Sequence, residues 1–510
     1  MFIVQNLTCP IDNPIPLSKL ISVKLRIPEN SLPEFELLRK SIDARKKNNL
    51  KWNFTALISE NIGGNLTEWK KSEPEDVEHF VMSSENPFII GAGPAGLFCA
   101  LELVEKGFKP DIFDRGKKLE DRDKDTERFW KSGHLNTESN SQFGEGGAGT
   151  FSDGKLTARN KNFYSEKVFD YLIKFGADPE IKTQSLPHLG TDKLRSIIKN
   201  IRNYLLENGC KFHWSNRLND IYYKKDKLIS VKINNINYSP EALILATGNS
   251  AGDTFKMLFE EKIALESKPF AVGFRIEHQQ KFINRAFYGE KTDFSVTGAA
   301  VYRLTHKLTN RGVYSFCMCP GGYVIAAASE SGGQVVNGMS FSKRNNKYAN
   351  SAVVCTADKR DFGSHPLAGI EFQRAIERKS FLPSHPYRAP VNSAGKFCSY
   401  KTNIKKIHSS YRPGIIKTDL NAVFPAAITK ALQKGLMKFE SQTEGFVQNG
   451  LLIGSETRTS SPVRILRNKK SGASLTVKNL FPVGEGSGYS GGIISSAADG
   501  IRTASAFTLK

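Results

Sequence analysis

The clearest periodic pattern in the chain begins with a short apolar run at residues 87–90. Apolar residues then recur at the spacing of one helix face from Leu97 to Phe108. A second apolar run at residues 110–114 ends in Asp114. Strand, helix and strand in this order predict a βαβ unit, and therefore a parallel sheet.

The pattern of apolar and polar positions divides the rest of the chain. Residues 1–82 combine strand-like runs with an amphipathic stretch at 17–25, which predicts a small N-terminal α/β module. Residues 87–265 alternate strand and helix patterns, whereas 266–440 hold many short β-like runs broken by Gly and Pro. Residues 441–510 return to a strand, a glycine-rich loop and a helix. We therefore predict an α/β fold: a Rossmann-like dinucleotide-binding domain in two segments, an inserted mixed α+β substrate domain and the small first module.

Composition is that of a globular protein, with 39% hydrophobic and 24% charged residues. No apolar run approaches the roughly 18 residues that a membrane span needs. The first residues lack the basic and apolar regions of a signal peptide. Seven scattered cysteines without zinc-ligand spacing favour reduced thiols in a cytoplasmic protein, and they predict no metal site.

The net charge of +21 is unevenly distributed. Residues 1–80 hold 11 basic and 11 acidic residues, whereas residues 341–440 hold 18 basic and 6 acidic residues, a net charge of +12. Because the first module is neutral, nucleic acid is an unlikely partner. The basic segment either attracts an anionic small molecule or forms a solvated face, and the sequence leaves both alternatives open. It does not predict an oligomeric state.

Three Gly-x-Gly-x-x-Gly patterns occur, at residues 91–96, 144–149 and 486–491. The first alone has a strand before it, a helix after it and an acid, Asp114, at the end of the next strand. In such a unit the glycines let the backbone approach a pyrophosphate at the helix N-terminus, and the acid accepts hydrogen bonds from the ribose. The second lacks a preceding strand, and the third has no second strand after its helix.

An apolar strand ending in Ala-Thr-Gly at residues 246–248 and a C-terminal strand followed by Gly-Glu at 484–485 are similar to the two-dinucleotide-binding-domain flavoproteins. That resemblance implies non-covalent FAD rather than NAD as the bound cofactor. NAD(P)H remains a candidate transient reductant. The residues that we expect to contact FAD are Gly91, Gly93, Ala95, Gly96, Asp114, Arg115, Gly147, Gly149, Thr150, Ser152, Asp153, Ala246, Thr247, Gly248, Gly484, Glu485, Gly491, Gly492 and Ile493.

Longer segments resemble a bacterial family of uncharacterised FAD-dependent dehydrogenases that is sometimes labelled NAD-utilising. They lie at residues 91–96, 144–155, 187–193, 246–250, 314–322, 456–462 and 484–492. They are distributed over nearly all of residues 88–510. The resemblance implies FAD and oxidoreductase activity, without a named substrate. Asp114 stands where many flavoproteins have a glutamate, so the detailed ribose contact is less certain than the site.

Five residues are weak candidates for catalysis, each with a structural alternative. Cys317 and Cys319 lie on the same face of a predicted strand, either near the flavin or as small buried residues. His188 and His365 stand beside prolines in loops, as acid–base groups or as structural hydrogen-bonding residues. Arg458 precedes the C-terminal loop and either binds an anionic substrate or forms a surface ion pair.

These observations predict a flavoprotein oxidoreductase that transfers hydride between a small-molecule substrate, or NAD(P)H, and FAD. We expect the FAD-binding domain at 87–265 and 441–510, and the substrate domain at 266–440. Two alternatives remain at this stage. One is a flavin-dependent lipid or isoprenoid reductase, and the other is a non-enzymatic redox sensor whose N-terminal module binds a partner.

Overall fold

The structure is a computed structural model that describes residues 1–63, 65–157, 162–382 and 384–510. The first module is a four-stranded antiparallel sheet in the order β2-β3-β1-β4, with α1 packed on β1 through the fully buried Ile21. The predicted helix at 17–25 is confirmed. The elements up to residue 82 are β1 (Phe2–Pro10), α1 (Leu17–Leu25), β2 (Phe35–Asp43), β3 (Lys51–Ile58), β4 (Thr67–Glu68) and β5 (Phe80–Met82).

The second segment forms most of a parallel sheet. Strands β12, β6, β7 and β8 pair side by side in that order, and β6 and β12 are apolar because helices or a second sheet cover both faces. The elements are β6 (Phe88–Ile90), α2 (Pro94–Glu105), β7 (Asp111–Asp114), α3 (Leu119–Ser132), α4 (Phe163–Lys174), α5 (Gly190–Glu207), β8 (Lys211–Trp214), β9 (Leu218–Lys224), β10 (Lys227–Ile233), β11 (Ile236–Tyr238), β12 (Leu243–Leu245), α6 (Gly252–Glu260) and β13 (Leu265–Ser267). Strands β9, β10 and β11 form a separate antiparallel sheet against one face.

The third segment is a mixed α+β unit. Its elements are β14 (Phe270–Gln279), α7 (Gln280–Tyr288), α8 (Phe294–Thr297), β15 (Thr305–Lys307), β16 (Gly312–Cys319), β17 (Tyr323–Ala326), β18 (Val336–Met339), β19 (Tyr348–Ala357), α9 (Lys359–Phe362), α10 (Ala368–Ser380), β20 (Ala389–Ser393), α11 (Ala394–Phe397), β21 (Ile415–Lys417), α12 (Ala426–Gln442) and β22 (Leu451–Glu456). Seven of the strands form one sheet in the order β15-β16-β19-β14-β22-β20-β21. Strand β22 therefore belongs to this sheet, although the predicted boundary at residue 441 placed it in the other domain. A lone apolar strand does not reveal from sequence which sheet it joins, and the domain boundary itself stays a prediction.

The C-terminal segment completes the parallel sheet. Its elements are β23 (Val463–Ile465), β24 (Leu480–Pro482), α13 (Ile493–Ser505) and β25 (Phe507–Leu509). Strand β24 pairs with β12, which gives the order β24-β12-β6-β7-β8. Helix α13 packs closely on α2: a Cβ atom on Gly500 would lie 2.1 Å from the Ala95 carbonyl oxygen. Strand β25 pairs with β5, which ties the end of the chain to the end of the first module.

The predicted fold class, a mixed α/β protein with a Rossmann-like parallel sheet, is confirmed. The chain leaves this sheet after β12 and returns to it at β24. In the part of the chain that the structure describes, no helix is both long and apolar enough to cross a membrane.

Candidate functional site

Four loops meet at the carboxyl edge of the parallel sheet, where ligands bind in open α/β folds. We define loop A as residues 91–96 after β6, loop B as residues 144–155 after α3, loop C as residues 246–250 after β12, and loop D as residues 484–493 after β24. Three of them follow neighbouring parallel strands, so the topology alone brings them together. Loop B joins them from the connection between α3 and α4.

Loops A, C and D touch through their backbones. A Cβ atom on Gly91 would lie 2.3 Å from the Ala246 carbonyl oxygen, and Gly91 has a φ of +109°. Only glycine fits that close approach and that conformation. A Cβ atom on Gly486 would likewise lie 2.6 Å from the Gly248 carbonyl oxygen. The backbones of these loops therefore approach one another too closely for a side chain at either glycine.

Loop B lies against the start of α2. A Cβ atom on Gly93 would come 3.6 Å from the Cα atom of Gly147, which is an ordinary van der Waals contact. A Cβ atom on Gly149 would come 3.1 Å from the side chain of Ile493, the first residue of α13. The second glycine pattern therefore packs between the N-termini of two helices, where backbone N–H groups attract anions.

Three of the expected cofactor residues border open space. A Cβ atom on Gly248, Gly491 or Gly492 would meet no heavy atom within 4 Å. Glu485 lies beside them, and its carboxylate accepts a 2.8 Å hydrogen bond from the Asn249 side chain. Burial raises the pKa of Glu485, although hydrogen bonds from Gly492 and Asn249 oppose that rise. The glycines leave room for a ligand, and the Glu485 carboxylate can accept hydrogen bonds from it. Such a site fits a ribityl chain, whose hydroxyl groups need acceptors.

A polar pocket of 410 Å³ lies beyond the end of β7. Asp114 is buried, and its carboxylate accepts the backbone N–H groups of Ala92 and Gly116, both at 2.8 Å. Arg115 forms 2.9 Å ion pairs with Glu138 and Asp253. The residues lining the pocket are Arg115, Lys117, Asn136, Glu138, Ser139, Ser215, Arg217, Asn219, Asn234 and Asn235. Its volume lies in the range that cofactor sites occupy.

The side chains of loop B have partners within the protein. Thr150 is fully buried and donates to the Glu145 carbonyl oxygen at 3.2 Å. Ser152 donates to the Gly149 carbonyl oxygen at 2.7 Å. Asp153 is fully buried among basic side chains. If these residues contact a cofactor, the contact is through their backbone atoms.

Sequence reasoning did not identify the cation cluster that Asp153 organises. Its carboxylate contacts Lys155 at 2.9 Å and Arg344 at 2.5 Å, and it accepts a hydrogen bond from Ser340. Burial opposes ionisation of Asp153, but the two cations outweigh burial and hold its pKa below the ordinary value. Lys155 is the last residue of the glycine-rich segment at 144–155, so the sequence could have indicated Lys155 as a site residue. Nothing in the sequence indicated Arg344.

Cys317 and Cys319 adjoin this cluster. The Cys319 sulfur lies 4.0 Å from Lys155 Nζ and 3.3 Å from Nη2 of Arg275. Cys317 is partly exposed. The structure thus places the two cysteines beside the cation cluster, whereas their role stays a prediction.

The two histidines lie in different surroundings. His188 is half-buried beside the cation cluster, and its Nε2 lies 3.2 Å from the Ser342 carbonyl oxygen. Burial, together with the nearby Arg344, lowers the pKa of His188 to about 4, so the ring is neutral at pH 7. His365 is exposed, and its Nδ1 accepts the backbone N–H of Leu367 near the start of α10. Only His188 is therefore placed beside the cation cluster.

Arg458 is not a surface residue. Its side chain is 4% exposed, and its guanidinium forms hydrogen bonds of 2.6 and 2.8 Å to the carboxylate of Glu377. A carboxylate oxygen of Glu330 lies 3.4 Å from Nη2 of the same guanidinium. The surface ion pair considered from the sequence is therefore a buried one, and this placement does not support the predicted contact with an anionic substrate.

Comparison with known proteins gives three partial matches to family models. Residues 269–459 match the model described as FAD-dependent protein, C-terminal domain-like. Residues 89–128 match an NAD(P)-binding Rossmann-like domain, and residues 1–59 match a domain of unknown function. The first match ends at the border of the seven-stranded sheet, just after β22.

One relative spans both chains almost completely. An uncharacterized protein of Clostridium beijerinckii is 42% identical over 519 residues, which cover 98% of this chain and 97% of that protein. Solved structures are more distant. CtdE in complex with FAD is 10% identical, with a TM-score of 0.32 and coverage of 83% and 84% of the two chains. A salicylate hydroxylase substrate complex is 9% identical, with a TM-score of 0.35 and coverage of 83% and 79%.

Neither solved structure decides what this chain acts on, and the comparisons leave the NAD-utilising label open. They do not favour the lipid reductase or the redox sensor that the sequence left as alternatives. The glycine loops and the FAD-dependent family model agree on the cofactor. The chain therefore belongs to the same family as the Clostridium beijerinckii protein, and it is a FAD-binding flavoprotein oxidoreductase.

Proposed function

We propose that FAD binds non-covalently across loops A to D and that a small, anionic molecule exchanges hydride with it. The observation that carries this proposal is the open space at the Cβ positions of Gly248, Gly491 and Gly492, with the partly buried Glu485 carboxylate beside them. The domain roles follow from the sheets: residues 87–265 and the C-terminal segment after β22 hold the cofactor, and the seven-stranded sheet forms the substrate side.

Each loop has a distinct task in this proposal. The backbone of loop A at the N-terminus of α2, together with Gly147 and Gly149, would hold the pyrophosphate. Glu485 would accept hydrogen bonds from the ribityl hydroxyl groups. Asp114 and the 410 Å³ pocket beyond it would hold the adenosine end. Most of these contacts come from backbone atoms, so the binding depends on the loop geometry.

The substrate side is defined by charge. Bound FAD supplies two-electron redox chemistry, so the protein needs only to orient and attract the substrate. Lys155 and Arg344 place two positive charges on the Asp153 carboxylate near the end of loop B, and the partly exposed Lys155 can contact an anion. His188 lies beside these cations and stays neutral at pH 7 because burial and Arg344 lower its pKa, so it can form hydrogen bonds there without adding charge. A reduced nicotinamide nucleotide is one anion of suitable chemistry.

A reducing compartment agrees with the cysteine chemistry. All seven cysteines lie in the described residues, and all are free. Structural disulfides are rare in the cytoplasm, where thiols stay reduced. We therefore place the protein in the cytoplasm as part of the proposal.

Gly491→Val tests the cofactor site. Residue 491 is exposed, its φ lies outside the left-handed region, and its Cβ position is empty, so the protein itself tolerates a side chain there. We expect normal unfolding of the apoprotein and a loss of FAD affinity of at least about tenfold, because the valine occupies the cofactor's space. Gly312→Val is the matched control, since a Cβ atom there makes only contacts of 3.9 Å in the other domain. Equal FAD affinity in both variants would refute the proposed site.

The redox proposal needs a separate test. Anaerobic mixing of the holoprotein with NADH, NADPH and a panel of small carboxylic and phosphorylated metabolites should bleach the flavin absorbance for one class of donor. Sustained flux to an acceptor distinguishes an enzyme from a sensor, which would be reduced once only. If only neutral donors reduced the flavin, the proposal of an anionic substrate would be wrong, whereas the proposal of FAD binding would be unaffected.

A further inference from the structure

Cys317 and Cys319 are held in an unusual backbone conformation at the end of β16. The pairing with β19 is regular from Val313 to Phe316 and then shifts in register before Cys319. Cys317 has a φ of +48°, which non-glycine residues seldom adopt. This bend curls the Cys-Met-Cys segment, and the Cys319 thiol donates a hydrogen bond to the Cys317 carbonyl oxygen at 3.3 Å.

Arg275 fixes this conformation from within the sheet. Its Nη2 donates to the Cys317 carbonyl oxygen at 2.6 Å and lies 3.3 Å from the Cys319 sulfur. The guanidinium is held in turn by Glu456 at 2.9 Å and by Asn350 at 2.8 Å. Strained conformations persist where the surroundings determine them and are concentrated at functional sites.

The charges around the pair favour a thiolate. The hydrogen bond from Cys319 lowers the pKa of Cys317, and Lys155 and Arg275 lower it further against the effect of burial. The remaining proton is held tightly, because burial and the first thiolate raise the pKa of Cys319. One negative charge is thus shared between two sulfurs and faces two cations.

Four other cysteines lack this environment. Burial raises the pKa of Cys99, Cys210, Cys355 and Cys398, to about 12 at Cys210 and Cys398. Cys398 has the same intermediate exposure as Cys317. Exposure alone therefore does not distinguish Cys317, whereas the adjacent thiol and the cations do.

We propose that Cys317 and Cys319 form a redox-active dithiol that exchanges two electrons with small external disulfides. The Cys317 thiolate attacks one sulfur of the external disulfide, which forms a mixed disulfide and releases one thiolate. The Cys319 sulfur, which loses its proton to solvent, then attacks Cys317 and releases the second thiolate. The protein dithiol is oxidised by two electrons to a disulfide, and the external disulfide is reduced to two thiols.

This dithiol goes beyond the proposed function and does not depend on it, because the exchange needs only the external disulfide as oxidant. Its position adds a connection to that function. The Cys319 sulfur lies 4.0 Å from Nζ of Lys155, the partly exposed lysine at the end of loop B that the proposed function assigns to an anionic substrate. The dithiol therefore adjoins the proposed substrate side.

Alkylation of the holoprotein tests the thiolate. With limiting iodoacetamide at pH 7, peptide mass spectrometry should show Cys317 reacting more than about tenfold faster than Cys398. Lys155→Gln should slow the reaction at Cys317 several-fold and leave Cys398 unchanged. Equal rates at the two cysteines would overturn the proposal.

Glutathione disulfide tests the exchange itself. The wild-type holoprotein should lose the free thiols of both Cys317 and Cys319 and retain no adduct, whereas Cys319→Ser should hold a stable glutathione adduct on Cys317. Cys398→Ser should behave as the wild type does. Retention of both thiols in the wild type, or adducts on Cys398 as readily as on Cys317, would refute the dithiol. Flavin absorbance of the same samples reports cofactor binding separately, so loss of FAD with intact thiol exchange would count against the proposed function alone.

Discussion

The carboxylate of Asp114 accepts the backbone N–H of Ala92 at 2.8 Å, so the acid at the end of β7 holds loop A directly. Its other oxygen accepts the N–H of Gly116 at 2.8 Å. The sequence predicted a ribose contact for this residue, and the structure shows that the residue also organises the loop that would hold the pyrophosphate. Both donors are buried, so they have no access to water if the carboxylate is removed.

Asp114→Ala should therefore destabilise the protein as well as weaken FAD binding. Each buried N–H that loses its acceptor costs about 1–3 kcal/mol. Asp114→Asn keeps one acceptor oxygen, so its free energy of unfolding should fall by about half as much. Urea unfolding of the apoproteins measures the first effect, and FAD titration measures the second. An Asp114→Ala apoprotein as stable as the wild type would show that this hydrogen bonding contributes little.

Gly93→Val should remove FAD binding without unfolding the protein. A Cβ atom at residue 93 makes only an ordinary contact with Gly147, and the backbone there is extended, with φ −82° and ψ −173°. The valine would occupy the space between the α2 N-terminus and the pyrophosphate. Gly91→Ala is the contrasting variant, because its Cβ atom would clash with Ala246 and destabilise the fold itself. Absorbance spectra and thermal unfolding of both proteins check this, and stoichiometric FAD in Gly93→Val would contradict it.

Much of the fold was predictable because it depends on local pattern. Apolar periodicity predicted β6, α2 and β7, and glycine spacing in its βαβ context predicted loop A. Parallel strands have their carboxyl ends at one edge, so the convergence of loops A, C and D followed from topology.

The buried charges were not predictable, since each pair joins distant parts of the chain. Asp153 meets Arg344 and Arg458 meets Glu377 only after the sheets have packed. Single-residue patterns carry no information on such partners, so the sequence offered for Arg458 only an anionic substrate or a surface ion pair. The bend at Cys317 is of the same kind, because Arg275 on a different strand fixes it.

Stability should depend on pH through Glu277. Burial raises the pKa of this carboxyl to about 7, against hydrogen bonds from Ser410 and Ser409. A raised carboxyl pKa means that the folded protein binds the proton more tightly than the unfolded chain. Stability is therefore lost as the pH rises from about 4.5 to about 7, by at most about 3 kcal/mol.

Glu277→Gln should reduce this loss, because the amide never ionises. Urea midpoints at pH 5 and pH 8 should differ less in the variant than in the wild type. Glu60→Gln, at an exposed position, is the control and should keep the pH dependence of the wild type. If Glu277→Gln also kept that dependence, another group would carry it.

The basic segment at 341–440, with its net charge of +12, should accelerate reduction by an anionic donor. Lys401, Lys405 and Lys406 are all exposed, and together they contribute long-range attraction. Changing all three to Gln should slow flavin reduction and flatten its dependence on salt, because the Debye length shortens from about 10 Å at 0.1 M to about 3 Å at 1 M. Thermal stability should change little, since exposed charges contribute about 0–1 kcal/mol each.

Rapid mixing at low and high ionic strength decides between steering and a merely solvated basic face. The matched control changes Lys46, Lys47 and Lys51, three exposed lysines of the neutral first module, to Gln. Equal loss of charge there should leave the reduction rate unaltered if the position of the charge matters. If both triple variants slowed reduction equally, total charge would be the cause. A rate independent of salt in the wild type would remove the steering role and leave the basic residues as a solvated surface.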